Sequence, residues 1–359
     1  MEELKSNKNF AEFDYFGEER KDFYNKFKVN SILVQGEHWK HKPLVTILLP
    51  TYKRPVLLKQ ALDSALNQKG FDDYQILVVD NEGVPINEKT QTSRLMAQYK
   101  DNKILYYRHE KSVPTDVMDY AARLAKSKWI CFLHDDDILA ENHLSVLTGI
   151  VKKHNKIKFL ACPCKDFINE ISDEQFSYMV KRKKSSYGII SYPKHYSCTG
   201  YWSGWLGALI DRECYIDTGG MPTLATGLGD FIMVGKFTYR YGVYSCRSKN
   251  ALYFYRGWTG QLSSSGTEVW QRLYENEYRY QQYVNRIYHK LFVKFWDRIA
   301  AYEVLQKCRD RNRSYYHTQI NIRQIINNDG IPSDILSNKK RKQKDEYWLK
   351  LYRSIINRS

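Results

Sequence analysis

Three short apolar runs in this sequence do not alternate with polar residues. They are Leu44-Val45-Thr46-Ile47-Leu48-Leu49-Pro50, Tyr74-Gln75-Ile76-Leu77-Val78-Val79 and Trp129-Ile130-Cys131-Phe132-Leu133. A strand with one wet face alternates, whereas a strand covered on both faces reads as a continuous apolar run. Between the runs, apolar residues recur at helical spacing: Leu57, Leu58, Ala61, Leu62, Ala65 and Leu66, then Leu95 and Met96, then Met118, Ala121, Ala122, Leu124 and Ala125. Ile104-Leu105-Tyr106-Tyr107 adds a further strand. Strands alternating with helices predict an α/β fold with a mostly parallel, doubly wound sheet. Such sheets bind ligands beyond the carboxyl ends of their strands.

Those ends are polar. The first run stops at Pro50-Thr51-Tyr52-Lys53-Arg54, the second at Asp80-Asn81-Glu82-Gly83, and the third at His134-Asp135-Asp136-Asp137. Three adjacent carboxylates at a strand end repel one another and are poorly solvated there. A divalent cation removes that difficulty and commonly bridges carboxylates to phosphates. A Gly-x-Gly-x-x-Gly turn is missing after the first strand, which argues against a dinucleotide fold, and a Gly-Lys-Ser/Thr phosphate loop is missing too. A diphosphate held through a metal on the aspartates fits what is left.

Further along, residues 144–151 predict a helix and 159–162 a strand. The stretch 165–200 is less regular and contains Lys181-Arg182-Lys183-Lys184, read as a basic loop. Tyr187, Tyr192, Tyr196, Tyr201, Trp202 and Trp205 offer flat faces suited to sugar rings or to core packing. Asp230 opens a helix, and Ala251–Arg256 is a last strand before a Gly/Ser-rich loop with the character of a lid. Three parts are expected: an extension of short helices and loop over 1–42, a catalytic domain over 43–262, and a helical extension over 263–359.

The 359 residues carry a net charge of +16, which points to an anionic partner. Residues 267–359 hold 19 Lys and Arg against 10 Asp and Glu, interleaved with aromatic residues at helical spacing. Basic, aromatic helices of this kind suit an anionic membrane surface, or pack on the main body with basic outer faces. The seven cysteines are odd in number and several lie in apolar runs, which reads as reduced thiols. Cys162-Pro163-Cys164 lacks a second pair at zinc spacing. The first residues have no apolar leader segment, and no window reaches the length of a spanning helix, so a cytoplasmic or peripheral protein on the inner membrane face is expected.

Pro50-Thr51-Tyr52, Val78-Val79-Asp80-Asn81 and Phe132-Leu133-His134-Asp135-Asp136-Asp137, in this order, resemble the motifs of family 2 glycosyltransferases of the GT-A fold. The resemblance spans roughly residues 43–262. It implies an inverting enzyme that takes a sugar from a nucleotide-diphosphate donor, here a UDP-sugar, with Mn2+ or Mg2+. It also implies an acceptor hydroxyl on a cell-surface polysaccharide or lipid-linked glycan. By the same resemblance Pro50, Thr51, Tyr52, Arg54, Asp80, Asn81 and Asp135 bind nucleotide, with Asp80 accepting from a pyrimidine N3–H. Asp136 and Asp137 hold the metal, with Asp136 the principal ligand.

His134 stands where the family has its first aspartate, and either ligates the metal or orients an aspartate. Asp230 matches the family's general base, while Gly229 replaces the glutamate before it. His134, Trp205, Gly229, Arg256 and Trp258 are expected to contact donor or acceptor, Trp258 lying where relatives often have a histidine. The Gln-x-x-Arg-Trp motif of processive relatives is missing, which argues for addition of single residues. The rival readings are a nucleic-acid-binding protein, disfavoured because three aspartates in the main crevice repel phosphate, and a glycosyltransferase-like partner without activity.

Overall fold

The computed structural model describes residues 31–113, 117–168, 171–181, 186–192, 204–221 and 229–257. Residues 1–30, the lid-like loop from Trp258 onward and the basic stretch 267–359 lie outside them. In chain order the elements are β1 Ser31–Gln35, β2 Val45–Thr51, α1 Pro55–Leu66, β3 Tyr74–Asp80, α2 Gln91–Met96, β4 Ile104–His109 and α3 Val117–Leu124. There follow β5 Trp129–Phe132, β6 Ile138–Leu139, α4 His143–Lys153, β7 Phe159–Ala161, β8 Cys164–Ile168 and α5 Asp173–Val180. The last are β9 Gly188–Tyr192, β10 Leu209–Asp211, α6 Arg212–Asp217, α7 Gly229–Tyr241, β11 Val243–Arg247 and β12 Tyr253–Gly257.

A nine-stranded sheet runs β1-β4-β3-β2-β5-β10-β7-β11-β9. Its central block, β4-β3-β2-β5, is parallel throughout. Every residue of β2 and β3 is buried, as the unbroken apolar runs require. Helices cover both faces, so each strand contributes side chains to two cores. Val45, Ile47 and Leu49 of β2 pack on one side with Leu58 and Leu62, and Leu48 packs on the other with Phe132 and Phe237. Each such side chain contributes about 1.5–3 kcal/mol on burial. Strand order decides where a ligand can enter. From β2 the chain moves to β3 and β4 on one side, then returns to place β5 on the other. The crevice opens where that order reverses, between the ends of β2 and β5.

A second sheet, β6-β12-β8, has three strands. β6 begins one residue after the aspartates, and β12 pairs with it antiparallel, Tyr253 opposite Leu139 and Phe254 opposite Ile138. This return strand lays its own side chains against the aspartate turn.

The residues preceding the first buried strand require a correction. Ser31–Gln35, expected to be helix or loop, is an antiparallel edge strand on β4 with an irregular register between Leu33 and Gln35. Its Ile32 and Val34 face outward, 36% and 44% exposed, so apolar residues occupy both faces and period-two patterning is lost. The irregular stretch 165–200 contributes β8, α5 and β9. β8 is largely exposed, which removes the burial signal by which the inner strands announce themselves. The described cysteines, Cys131, Cys162, Cys164, Cys214 and Cys246, are all unbridged, and Cys164 is exposed. Among the described residues no helix is long and apolar enough to cross a membrane.

Candidate active site

The chain leaves β2 through a sharp turn. Pro50 and Thr51 close the strand, and Lys53 takes the left-handed conformation, φ +56, which side chains other than glycine seldom adopt. The turn lets Arg54 face back across the crevice before Pro55 starts α1. Thr51 Oγ1 donates to Asp135 Oδ2 at 2.8 Å, and Tyr52 N lies 3.4 Å from the same oxygen. The Arg54 guanidinium reaches Asp135 Oδ1 at 3.3 Å and Asp136 Oδ2 at 3.4 Å. Residues some eighty positions apart are thus joined across the strand ends because β2 and β5 are adjacent.

The three aspartates have different surroundings. Asp135 is held by the β2 turn, and burial pushes its carboxyl up to about 6 while Arg54 opposes the rise. Asp137 is fully buried. Its Oδ2 accepts from Tyr253 Oη at 2.6 Å and its Oδ1 from Arg256 N at 2.7 Å. Burial, with the Asp136 charge added, pushes Asp137 up to about 8. Arg256 also donates through Nε to the Asp136 carbonyl at 2.6 Å and through a terminal nitrogen to Gln60 Oε1 at 2.6 Å. Asp137 therefore ties β12 to the turn.

His134 Nδ1 stands 3.6 Å from Asp137 Oδ2, and burial lowers its pKa. His134, Asp136 and Asp137 each offer a ligand atom, all within 4.8 Å of one another. Two carboxylate oxygens and an imidazole nitrogen at that separation, in a place where burial opposes carboxylate charge, fit a divalent cation.

The opposite wall comes from the segment 204–210. Gly207 has φ +67, and a β-carbon there would strike the Tyr253 ring, Cys162 and His143, so the tight turn needs glycine. Gly207 N donates to Phe132 O at 2.9 Å. The turn sets the Trp205 indole edge-on to His134, ring centroids 5.4 Å apart, and its Nε1 donates to Asp230 Oδ2 at 2.9 Å. Gly229 and Asp230 are the first two residues of α7.

Asp80 and Asn81 sit at the end of β3. Asp80 is 1% exposed, with Oδ2 taken by Tyr106 Oη at 2.7 Å and Oδ1 by Glu82 N at 3.0 Å. Burial raises its pKa. Arg108 stands 3.7 Å from Asp80. It also donates to the carbonyls of Ile86 and Glu88 at 3.0 Å, and of Val84 and Pro85 at 3.3 and 3.4 Å. Asn81 N donates to Thr51 O at 2.9 Å, while its Oδ1 accepts from Val113 N at 2.8 Å and meets His109 Nδ1 at 3.1 Å. Asp80 and Asn81 thus brace the loop beside the crevice.

Of the expected residues, Thr51, Tyr52, Arg54, Asp135 and Asp136 meet around one turn. Asp137, His134 and Arg256 adjoin them, and Trp205 joins Asp230 to His134. Trp258 lies outside the described residues. Sequence reasoning missed Gln60, Tyr253 and Arg108. Only Arg108 left a trace, as a charge at the end of an apolar strand.

Residues 46–205 match the family described as Glycosyl transferase family 2. Over that span, somewhat less than half of the chain, it is similar to family 2 glycosyltransferases. Its relatives include the minor teichoic acid biosynthesis protein GgaB of Bacillus subtilis, 25% identical over 120 residues, 33% of this chain and 13% of that protein. They also include the GalNAc(5)-diNAcBac-PP-undecaprenol beta-1,3-glucosyltransferase of Campylobacter jejuni, 31% identical over 107 residues, 29% of this chain and 33% of that protein. The aligned stretches therefore span about a third or less of these two relatives. S. aureus TarS 1–349, solved in complex with UDP-GlcNAc, superposes with a TM-score of 0.59 at 14% identity, covering 81% of this chain and 82% of that one. That likeness is one of fold, and it places the chain in the GT-A architecture. Asp230 and Arg256 lie beyond the matched span.

Proposed function

We propose that this chain is an inverting glycosyltransferase that moves a sugar from a UDP-sugar to a hydroxyl of a glycan or lipid-linked glycan. The observation that carries the reading is the pairing of two carboxylates across one crevice. Asp136 lies on the β5 side, and Asp230, held by Trp205, lies on the other.

In this reading the acceptor hydroxyl attacks the anomeric carbon from the face opposite the diphosphate. Asp230 takes the hydroxyl proton as the new C–O bond forms. The bond from the anomeric carbon to the diphosphate breaks, and the electron pair leaves with UDP. Direct displacement inverts the anomeric centre. Trp205 Nε1–H donates to one oxygen of Asp230 and so fixes the orientation of the carboxylate at the start of α7. Arg54, bonded to Asp135 and Asp136, orients both carboxylates and brings positive charge toward the diphosphate. His134, Asp136 and Asp137 would hold Mn2+ or Mg2+, with Asp136 the principal ligand. A bound divalent cation would neutralise charge building up on the leaving diphosphate. The engaged oxygens of Asp80 favour a base contact made through the loop it braces.

Support comes from the family match, from the relatives named for glycan assembly, and from the UDP-GlcNAc bound to the TarS fold. The test is thermal-shift titration with UDP- and GDP-sugars, with and without Mn2+, followed by measurement of released nucleotide. Stabilisation by a UDP-sugar together with metal is the expected result. Indifference to every nucleotide sugar would overturn the reading. Asp230→Asn should retain donor binding and lose transfer.

A further inference from the structure

Away from the aspartate turn, the three-stranded sheet carries a second concavity. β8 is the edge strand of that sheet, exposed at Lys165 and Asp166. Beside it lies a cavity of about 180 Å³ that Ala140, Asn142 and residues of α5 also line, room for about six waters or one sugar ring.

Its walls combine two chemistries. Lys165, Lys181 and Lys249 line it against the single carboxylate of Asp166. Among the described residues none of the three lysines is ion-paired. Lys181 is the first residue of the run Lys181-Arg182-Lys183-Lys184, whose other three residues lie outside the described ones. Tyr178 supplies an exposed flat face, and the buried Phe254 also lines the cavity. Tyr178 is 67% exposed, so its ring is open to a ligand in the cavity. Tyr187 is fixed by Asn142 Nδ2, 3.1 Å from its hydroxyl.

The groove is distinct from the donor crevice but joined to it. Phe167 lines the groove and stacks under the Arg256 guanidinium at 4.6 Å, the same arginine that holds Asp136 and Asp137. A neutral sugar needs rings and hydrogen bonds but not three lysines. An isolated phosphate needs lysines but not rings. A glycan carrying phosphate in its backbone uses both.

We propose that this groove is an accessory subsite for an acidic, phosphate-bearing glycan, with phosphates at Lys165, Lys181 and Lys249 and a sugar ring on Tyr178. The proposal rests on the glycosyltransferase reading, because the occupant is a part of the acceptor remote from the reacting hydroxyl. The lysines are at the surface, so binding weakens as salt rises.

The test uses the full chain and a fluorescent glycerol-phosphate oligomer, with a neutral maltooligosaccharide of equal length as control, read by polarisation without donor. We expect the oligomer to bind at least tenfold more tightly than the control. Lys165→Glu/Lys249→Glu should weaken it at least tenfold and Tyr178→Ala several-fold, with circular dichroism and the UDP-sugar thermal shift unchanged. Equal binding of oligomer and control would overturn the proposal. So would an unaltered affinity in the double variant, or a loss in that variant seen only with phosphatidylglycerol vesicles. Failure of every nucleotide sugar to bind would instead overturn the glycosyltransferase reading and leave the oligomer result standing.

Discussion

Trp205 Nε1 donates to Asp230 Oδ2 over 2.9 Å, and the same indole stands edge-on to His134 at 5.4 Å. One side chain therefore spans the crevice from the proposed base to the metal corner. Trp205→Phe keeps an aromatic ring against Phe132 and His134 but removes the N–H. A hydrogen bond to a charged group contributes about 1.5–3 kcal/mol. We expect kcat to fall roughly 10- to 100-fold with donor KM nearly unchanged, in a steady-state assay of UDP release. An equal loss in donor affinity would make Trp205 a donor contact instead.

Asp136 and Asp137 are neighbours with separable roles. Asp137→Ala strands Tyr253 Oη and Arg256 N, each buried, and should cost roughly 2–4 kcal/mol. Asp136→Asn removes a carboxylate that faces the crevice. The first variant should melt several degrees lower even without ligand. The second should melt near the wild type but lose the shift produced by Mn2+ with UDP. Differential scanning fluorimetry with and without chelator distinguishes them.

Arg108 is 3% exposed and donates to four carbonyls between Val84 and Glu88. A lysine in its place has a single nitrogen and lacks the planar fork. Arg108→Lys should loosen this loop and weaken UDP binding about tenfold in calorimetry. The Mn2+-dependent response of the aspartate turn, on the far side of β2, should persist.

His109 and His143 should each contribute an acid-sensitive part of the stability. Burial lowers each to about 4 from the usual 6.5. Between those pH values the unfolded histidines bind protons that the folded ones refuse, so the stability these two contribute is complete above pH 6.5 and is lost as pH falls toward 4, while the raised carboxyls of Asp135 and Asp137 act in the opposite sense. Each histidine contributes a slope of about 1.4 kcal/mol per pH unit across that window. Urea denaturation of the wild type and of His143→Gln at pH 7, 6 and 5 measures it, and the stability difference between the two should change by about 1.4 kcal/mol per pH unit between pH 6.5 and 4.

Much of the central sheet was legible because β2, β3 and β5 are buried on both faces and cannot alternate. β1 and β8 were not, since their exposed positions carry apolar and charged residues with no period. Thr51, Arg54 and the aspartates were readable as strand-end residues. Asp80 was readable as a strand end but not as a group whose two oxygens are already engaged. That depended on Tyr106 from the next strand and on the turn of the backbone at Glu82.

By itself the sequence determined the strand–helix alternation, the polar ends of the strands and the concentration of carboxylates at one of them. These are local properties, set by hydrophobic period and by the chemistry of adjacent side chains. Tertiary structure alone decided that β12 returns beside β6, giving Asp137 to Tyr253 and Arg256 and leaving Asp136 toward the crevice. It also decided that Trp205 reaches both His134 and Asp230. Pairing between distant segments depends on which edges and faces remain to be covered once the core has formed. Two adjacent aspartates, identical in the sequence, acquire different environments only when a strand more than a hundred residues later folds against one of them.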